Sequence, residues 1–86
     1  YLAEALIDAA VADGLDADLA ERVVAQVLLG SATMLARHGD PTALRRAVTS
    51  PGGTTAAGVA QLDERDVRAA IAAATRAATE RSRELG

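Results

Sequence analysis

Val48-Thr49-Ser50-Pro51-Gly52-Gly53-Thr54-Thr55 is the richest cluster of glycine, proline and hydroxyl residues in a chain that otherwise reads as alanine-rich helix. Ser50 precedes a proline, which biases its backbone to an extended conformation, and Pro51 fixes its own φ without offering an N–H. The chain therefore turns here. Gly52 and Gly53, without Cβ atoms, accept strained dihedrals and let another group approach their amides. Thr54 or Thr55 is a good N-cap for the apolar-periodic run Ala56-Ala57-Gly58-Val59-Ala60-Gln61-Leu62. The stretch thus predicts bare amides at a helix start, flanked by hydroxyls. Such an end attracts anions through its unsatisfied N–H groups and the macrodipole, and a small carboxylate is its natural guest.

Working outward, the run after the cluster predicts a helix over about 55–63. Asp63-Glu64-Arg65-Asp66 forms a polar break, with Asp66 capping a last helix. Val67, Ile71, Ala74, Ala78 and Leu85 make the inner stripe of that helix. Arg68, Arg76, Glu80, Arg83 and Glu84 face out in opposite-charge pairs at helical spacing. Before the cluster, Pro41 and Thr42 start a short helix over 41–47, with Arg45 and Arg46 near its C-terminus. His38-Gly39-Asp40-Pro41 stops a long second helix over 17–37, capped by Asp16 or Asp18. Leu19, Val23, Val24, Val27, Leu28, Leu29, Met34 and Leu35 make it apolar on more than one side, which asks for burial from several directions. Gly30 and Ala32 leave room for another backbone to cross. A first helix covers 1–13, with Leu2, Leu6, Ala9 and Ala10 on its apolar side and Gly14 ending it in a left-handed conformation. No alternating run suggests a strand. The fold class is all-α: an alanine-rich bundle of about five helices forming a single domain over 1–86.

Composition explains why such a bundle needs help. Half of the 86 residues are apolar, but 22 are alanine, with one Tyr and neither Phe nor Trp, so a monomer core would be thin. Alanine-lined helices approach closely, which favours an intertwined oligomer. The net charge of −3 argues against a nucleic-acid partner. Zero cysteines exclude disulfides and suit a cytoplasmic location. No apolar run approaches the roughly 20 residues of a bilayer crossing, so no membrane partner is expected. The chain opens with Tyr1 already in a helical pattern and without an initiator Met, which predicts a natural N-terminus upstream.

Several chemistries are poorly supported. The cluster lacks the Lys and spacing of a phosphate-binding P-loop. His38 reads as a partner for the C-terminal end of its helix, and no metal site is expected, because a di-iron bundle would want a Glu where Leu35 stands. A Ser50/His38 pair has no orienting carboxylate, so Ser50 reads as a hydrogen-bond donor rather than a nucleophile. Glu4 and Asp8 share a solvated face. Gln26 and Thr33 read as polar contacts across helices, and Met34 as core filler.

The segment LRRAVTSPGGTTAAGVAQLDE (44–64) resembles the signature of the C-terminal domain of the pyrroline-5-carboxylate reductase family. AEALIDAAVADGL (3–15), Ala25-Gln26 and Gly30-Ser31-Ala32 are similar to its first two helices, and AATERSRELG (77–86) to its last. The resemblance implies a helical domain interlocked as a homodimer with the same domain of a second chain. It implies an enzyme that reduces Δ1-pyrroline-5-carboxylate to L-proline, with NADPH or NADH as cofactor. By that resemblance Ser50, Gly53, Thr54 and Thr55 hold the substrate carboxylate through amides and hydroxyls. Thr55 contacts the imine nitrogen, Gly52 shapes the turn, and Val48 touches the ring. No catalytic nucleophile is implied. The family's N-terminal dinucleotide-binding domain is missing, so no cofactor and no reductase activity are expected of these residues alone. The alternative is a non-catalytic helical interaction module in which the glycine-rich loop only caps a helix.

Overall fold

The computed structural model describes residues 1–86 as five α-helices without strands: α1 (Leu2–Ala12), α2 (Ala17–His38), α3 (Pro41–Ala47), α4 (Thr54–Glu64) and α5 (Val67–Leu85). The chain divides into two compact units, Tyr1–Leu44 and Arg45–Gly86.

In the first unit α1 packs on α2. Gly14, at φ 108°, reverses the chain after α1; its N–H reaches the Val11 carbonyl, and the Leu15 N–H reaches that of Ala10 at 3.0 Å. These two bonds satisfy carbonyls that the end of the helix would otherwise leave open. Of the expected apolar side of α1, Ala10 turns inward beside Ala3 and Ile7, whereas Leu2, Leu6 and Ala9 stay exposed. Ala3 and Ala10 let the two helices approach closely around Ile7, and the leucines are left on an open flank. Asp16 occupies the N-cap of α2, as read, but makes no side-chain cap bond. The helix runs one residue past the expected end, to His38, where the Gly39 N–H donates to the Leu35 carbonyl. Asp40 then caps α3: its Oδ1 accepts from the Ala43 N–H at 3.1 Å. Thr33 does not reach across to another helix; its hydroxyl donates to the Leu29 carbonyl of its own helix at 2.8 Å.

The second unit pairs α4 with α5. Asp66 stands at the N-cap of α5 in a left-handed conformation, without a side-chain cap bond. None of the charge pairs expected along α5 closes; the ion pair that forms there joins Glu84 to Arg81, outside the expected set, at 2.9 Å. Exposed pairs gain little against the entropy of two long side chains, so the others have little reason to order. Along the expected inner stripe only Val67 is half-buried, while Ile71 is 48% exposed.

Within the whole chain just Ala20 and Val24 are buried. Leu29 is 60% exposed, and most of the apolar positions read from α2 share that condition. Each unit thus leaves large apolar side chains uncovered, such as Val27 and Leu29 in the first and Leu62 and Ile71 in the second.

The expectation of no bilayer-length apolar segment is corrected at α2, which is long and apolar enough, by length and composition, to cross a membrane. Its uncharged run from Val23 to Ala36 is shorter, fourteen residues. That is about 21 Å of helix against a hydrocarbon layer of about 30 Å, and Glu21, Arg22, Arg37 and His38 bracket it. Such a helix fits the protected interior of an assembly.

If folding depends on covering these faces, stability must depend on concentration. A hundredfold increase corresponds to about 2.7 kcal/mol per dimer and is expected to raise Tm by about 7 °C. A melting midpoint that stays constant across that range would refute the coupling.

Candidate functional site

The cluster begins where α3 ends. Helix α3 leaves its last carbonyls without intrahelical partners, and the first residues of the loop take up two of them. The Val48 N–H and the Thr49 hydroxyl both donate to the Arg45 carbonyl, and the Thr49 N–H donates to that of Arg46. Val48 itself is 64% exposed, and Thr49 is half-buried.

Ser50 to Gly53 then close a tight turn. The Gly53 N–H donates to the Ser50 carbonyl at 2.9 Å, Pro51 holds the second position, and Gly52 at the third has φ 73°. Proline followed by a positive φ is the signature of a type II turn, which wants glycine at that third position. Gly53 is favoured for a different reason. Its φ of −83° is ordinary, but a Cβ there would lie 3.2 Å from the Ser50 carbonyl oxygen.

The N-cap of α4 is Gly53, in extended conformation, rather than either threonine. Thr54 and Thr55 are instead the first two residues of the helix, Thr54 exposed and Thr55 half-buried. No side chain caps the helix, and the first helical bond within it runs from the Ala57 N–H to the Gly53 carbonyl. The amides of Thr54, Thr55 and Ala56 are consequently open donors at the positive end of an 11-residue helix. No group of the chain engages the hydroxyls of Ser50, Thr54 and Thr55.

The structure therefore brings Ser50, Gly52, Gly53, Thr54 and Thr55 into one turn-and-helix start, with Val48 at its near edge. The Gly53 amide is spent within the turn, so its contribution is shape. Ala56, which the sequence offers only as the beginning of an apolar run, supplies a third open amide. Its helical offset from the turn is the signal that reveals it. Thr49 contributes no free hydroxyl proton. Beyond the turn, Arg45, Val59, Leu62, Asp63, Val67 and Arg68 line a cavity of about 180 Å³ between α4 and α5.

An all-helical scaffold that leaves its apolar faces uncovered, with an open helix start at its loop, defines an association domain. The chain belongs to the pyrroline-5-carboxylate reductase dimerisation family, whose model matches residues 1–85. It is 49% identical over 83 residues to the pyrroline-5-carboxylate reductase of Arabidopsis thaliana, covering 95% of this chain and 30% of that protein. It is 45% identical over 84 residues to the reductase of the same name from Synechocystis, covering 96% and 32%. The crystal structure of Plasmodium falciparum pyrroline carboxylate reductase with NADP bound superposes with a TM-score of 0.93 at 35% identity, covering 99% of this chain and 33% of that one. The chain spans about a third of the length of these relatives.

The two glycine-rich positions differ from an unconstrained helix glycine in what substitution does. Gly52→Ala forces a Cβ into the left-handed region and is expected to lower unfolding free energy by about 1 kcal/mol. Gly58→Ala, in α4 with nothing within 4 Å of the added methyl group, is expected to raise it by about 0.5–1 kcal/mol. Urea denaturation of both variants at one protein concentration checks the contrast in sign.

Proposed function

We propose that this chain is the dimerisation and substrate-carboxylate-binding domain of a pyrroline-5-carboxylate reductase, which reduces Δ1-pyrroline-5-carboxylate to L-proline with NADPH or NADH. The observation that carries the reading is the uncapped start of α4 beside the Ser50–Gly53 turn. It is matched to a substrate whose fixed negative charge is a carboxylate.

In this proposal the amides of Thr54, Thr55 and Ala56 converge on the carboxylate, and the Ser50 and Thr54 hydroxyls supply further bonds. Thr55 is the contact to the ring nitrogen, and Val48 offers an apolar surface to the ring. Because the helix end is rigid before the ligand arrives, little ordering is required on binding. Reduction of an imine needs a hydride at carbon and a proton at nitrogen. The protein's part is orientation and charge stabilisation rather than covalent attack.

Residues 1–86 do not fit a dinucleotide. The only adjacent glycines lie between two helices, with no preceding strand from which a nucleotide-binding turn could spring. The hydride donor would be held by another part of the full-length protein, across from the loop. The second copy of this domain would cover the faces that α2 and α5 leave open, and Gly30, with open space where a Cβ would stand, suits a close backbone crossing there.

Two measurements test the reading. Calorimetry with L-proline on the full-length protein is expected to show Thr55→Ala weakening binding about five- to tenfold, the worth of one lost hydrogen bond. Equal affinity would favour the loop as an inert cap. The 86-residue chain alone is expected to form a helical dimer without NAD(P)H oxidation in the presence of the imine; robust turnover would sink the assignment.

A further inference from the structure

The hydroxyls of the loop divide into two kinds. Those of Ser50, Thr54 and Thr55 are unengaged, whereas that of Thr49 is committed to the Arg45 carbonyl at 2.5 Å. Thr49 is also half-buried between two exposed neighbours, Val48 and Ser50. Its N–H is bound as well, to the Arg46 carbonyl at 3.2 Å. Pro51 has no N–H to give, and the turn's single internal bond runs from Gly53 to Ser50. The near side of the turn is thus tied to α3 by just three bonds, two of them from Thr49.

We propose that Thr49 is a positioning residue: by anchoring the loop to the end of α3 it sets the direction in which the Ser50–Gly53 turn and the Ser50 hydroxyl face the bound carboxylate. The inference rests on the carboxylate-binding reading of the loop. Without the Thr49 hydroxyl bond the Arg45 carbonyl keeps only the Val48 N–H at 3.3 Å, and the segment from Val48 to Pro51 gains freedom that substrate binding must then remove. The loss falls on binding rather than on chemistry, because Thr49 touches no reacting atom.

The test uses the full-length enzyme and three variants. Thr49→Val keeps the shape and removes the hydroxyl, Thr49→Ser keeps the hydroxyl, and Ser50→Ala reports on the loop's binding role independently. Thr49→Val is expected to raise KM for the imine about five- to tenfold with kcat within about twofold, the size of one hydrogen bond. Thr49→Ser is expected to restore KM, and dimer mass and nicotinamide KM are expected to be unchanged in both. If Thr49→Val leaves KM unchanged while Ser50→Ala raises it, positioning by Thr49 is overturned and the carboxylate site stands. If both leave it unchanged, the carboxylate site and the inference fall together. A fall in kcat alone, or no rescue by Thr49→Ser, also overturns it.

Discussion

The constraint on which this structure depends is that its helices carry more apolar face than one chain can cover. Alanine supplies close approach but little volume, and the interior made by α1 on α2 reduces to Ala20 and Val24. Dispersion and hydrophobic stabilisation both scale with the atoms brought together, so such an interior contributes little against the conformational entropy of ordering the chain. What the chain does settle locally is the helix ends. The two bonds around Gly14, the Gly39 closure on Leu35 and the Asp40 cap fix where α1 and α2 stop and where α3 begins. The faces are then presented in register for a partner. Local termini and intermolecular packing divide the work of folding between them.

The same division recurs at the loop. A helix start gains about 1 kcal/mol from a side-chain cap, and α4 has two threonines and a serine close enough in sequence to provide one, yet none does. The turn is held instead by backbone groups and by Thr49, through bonds that leave three amides and three hydroxyls unspent. Polar groups left open on a rigid frame are available to a ligand at low reorganisation cost, which is the physical meaning of a preorganised site. The forgone cap and the open donors at the start of α4 are one fact seen from two sides.

Much of this was legible in the sequence because the signals were local. Gly14, Gly39 with Pro41, and Pro51 with its two glycines each act on their own dihedrals, and the five helices fall where these residues put them. What could not be read depended on rotation or on partners. Which flank of α1 turns inward depends on rotation of the helix about its axis: Ala3, Ile7 and Ala10 face in, and Leu2 and Leu6 stay exposed. Either threonine has the chemistry of an N-cap, but the turn places Gly53 in the extended position and carries both into the helix. Spacing along α5 allows pairs such as Arg76 with Glu80, yet the ion pair that forms is Arg81–Glu84. The family likeness supplied the guest, which periodicity alone would have left as any small anion.

A carboxylate proposed for this loop would meet the fields of the two helix ends that flank it. The chain carries a net charge of −3, and the loop joins the negative end of α3 to the positive end of α4. At physiological salt, charges beyond about 8 Å are largely screened, so the acidic residues elsewhere matter less than the two helix ends nearby. The end of α3 would oppose an anion if its carbonyls were bare. Its Arg45 and Arg46 carbonyls are instead occupied by Val48 and Thr49 donors, and the Arg45 and Arg46 side chains place positive charge in its last turn. Helix α4 has no counterpart: its donors are open and no acidic residue lies in its first turn. The start of α4 therefore dominates the field at the loop, which favours the proposed anion despite the sign of the whole chain.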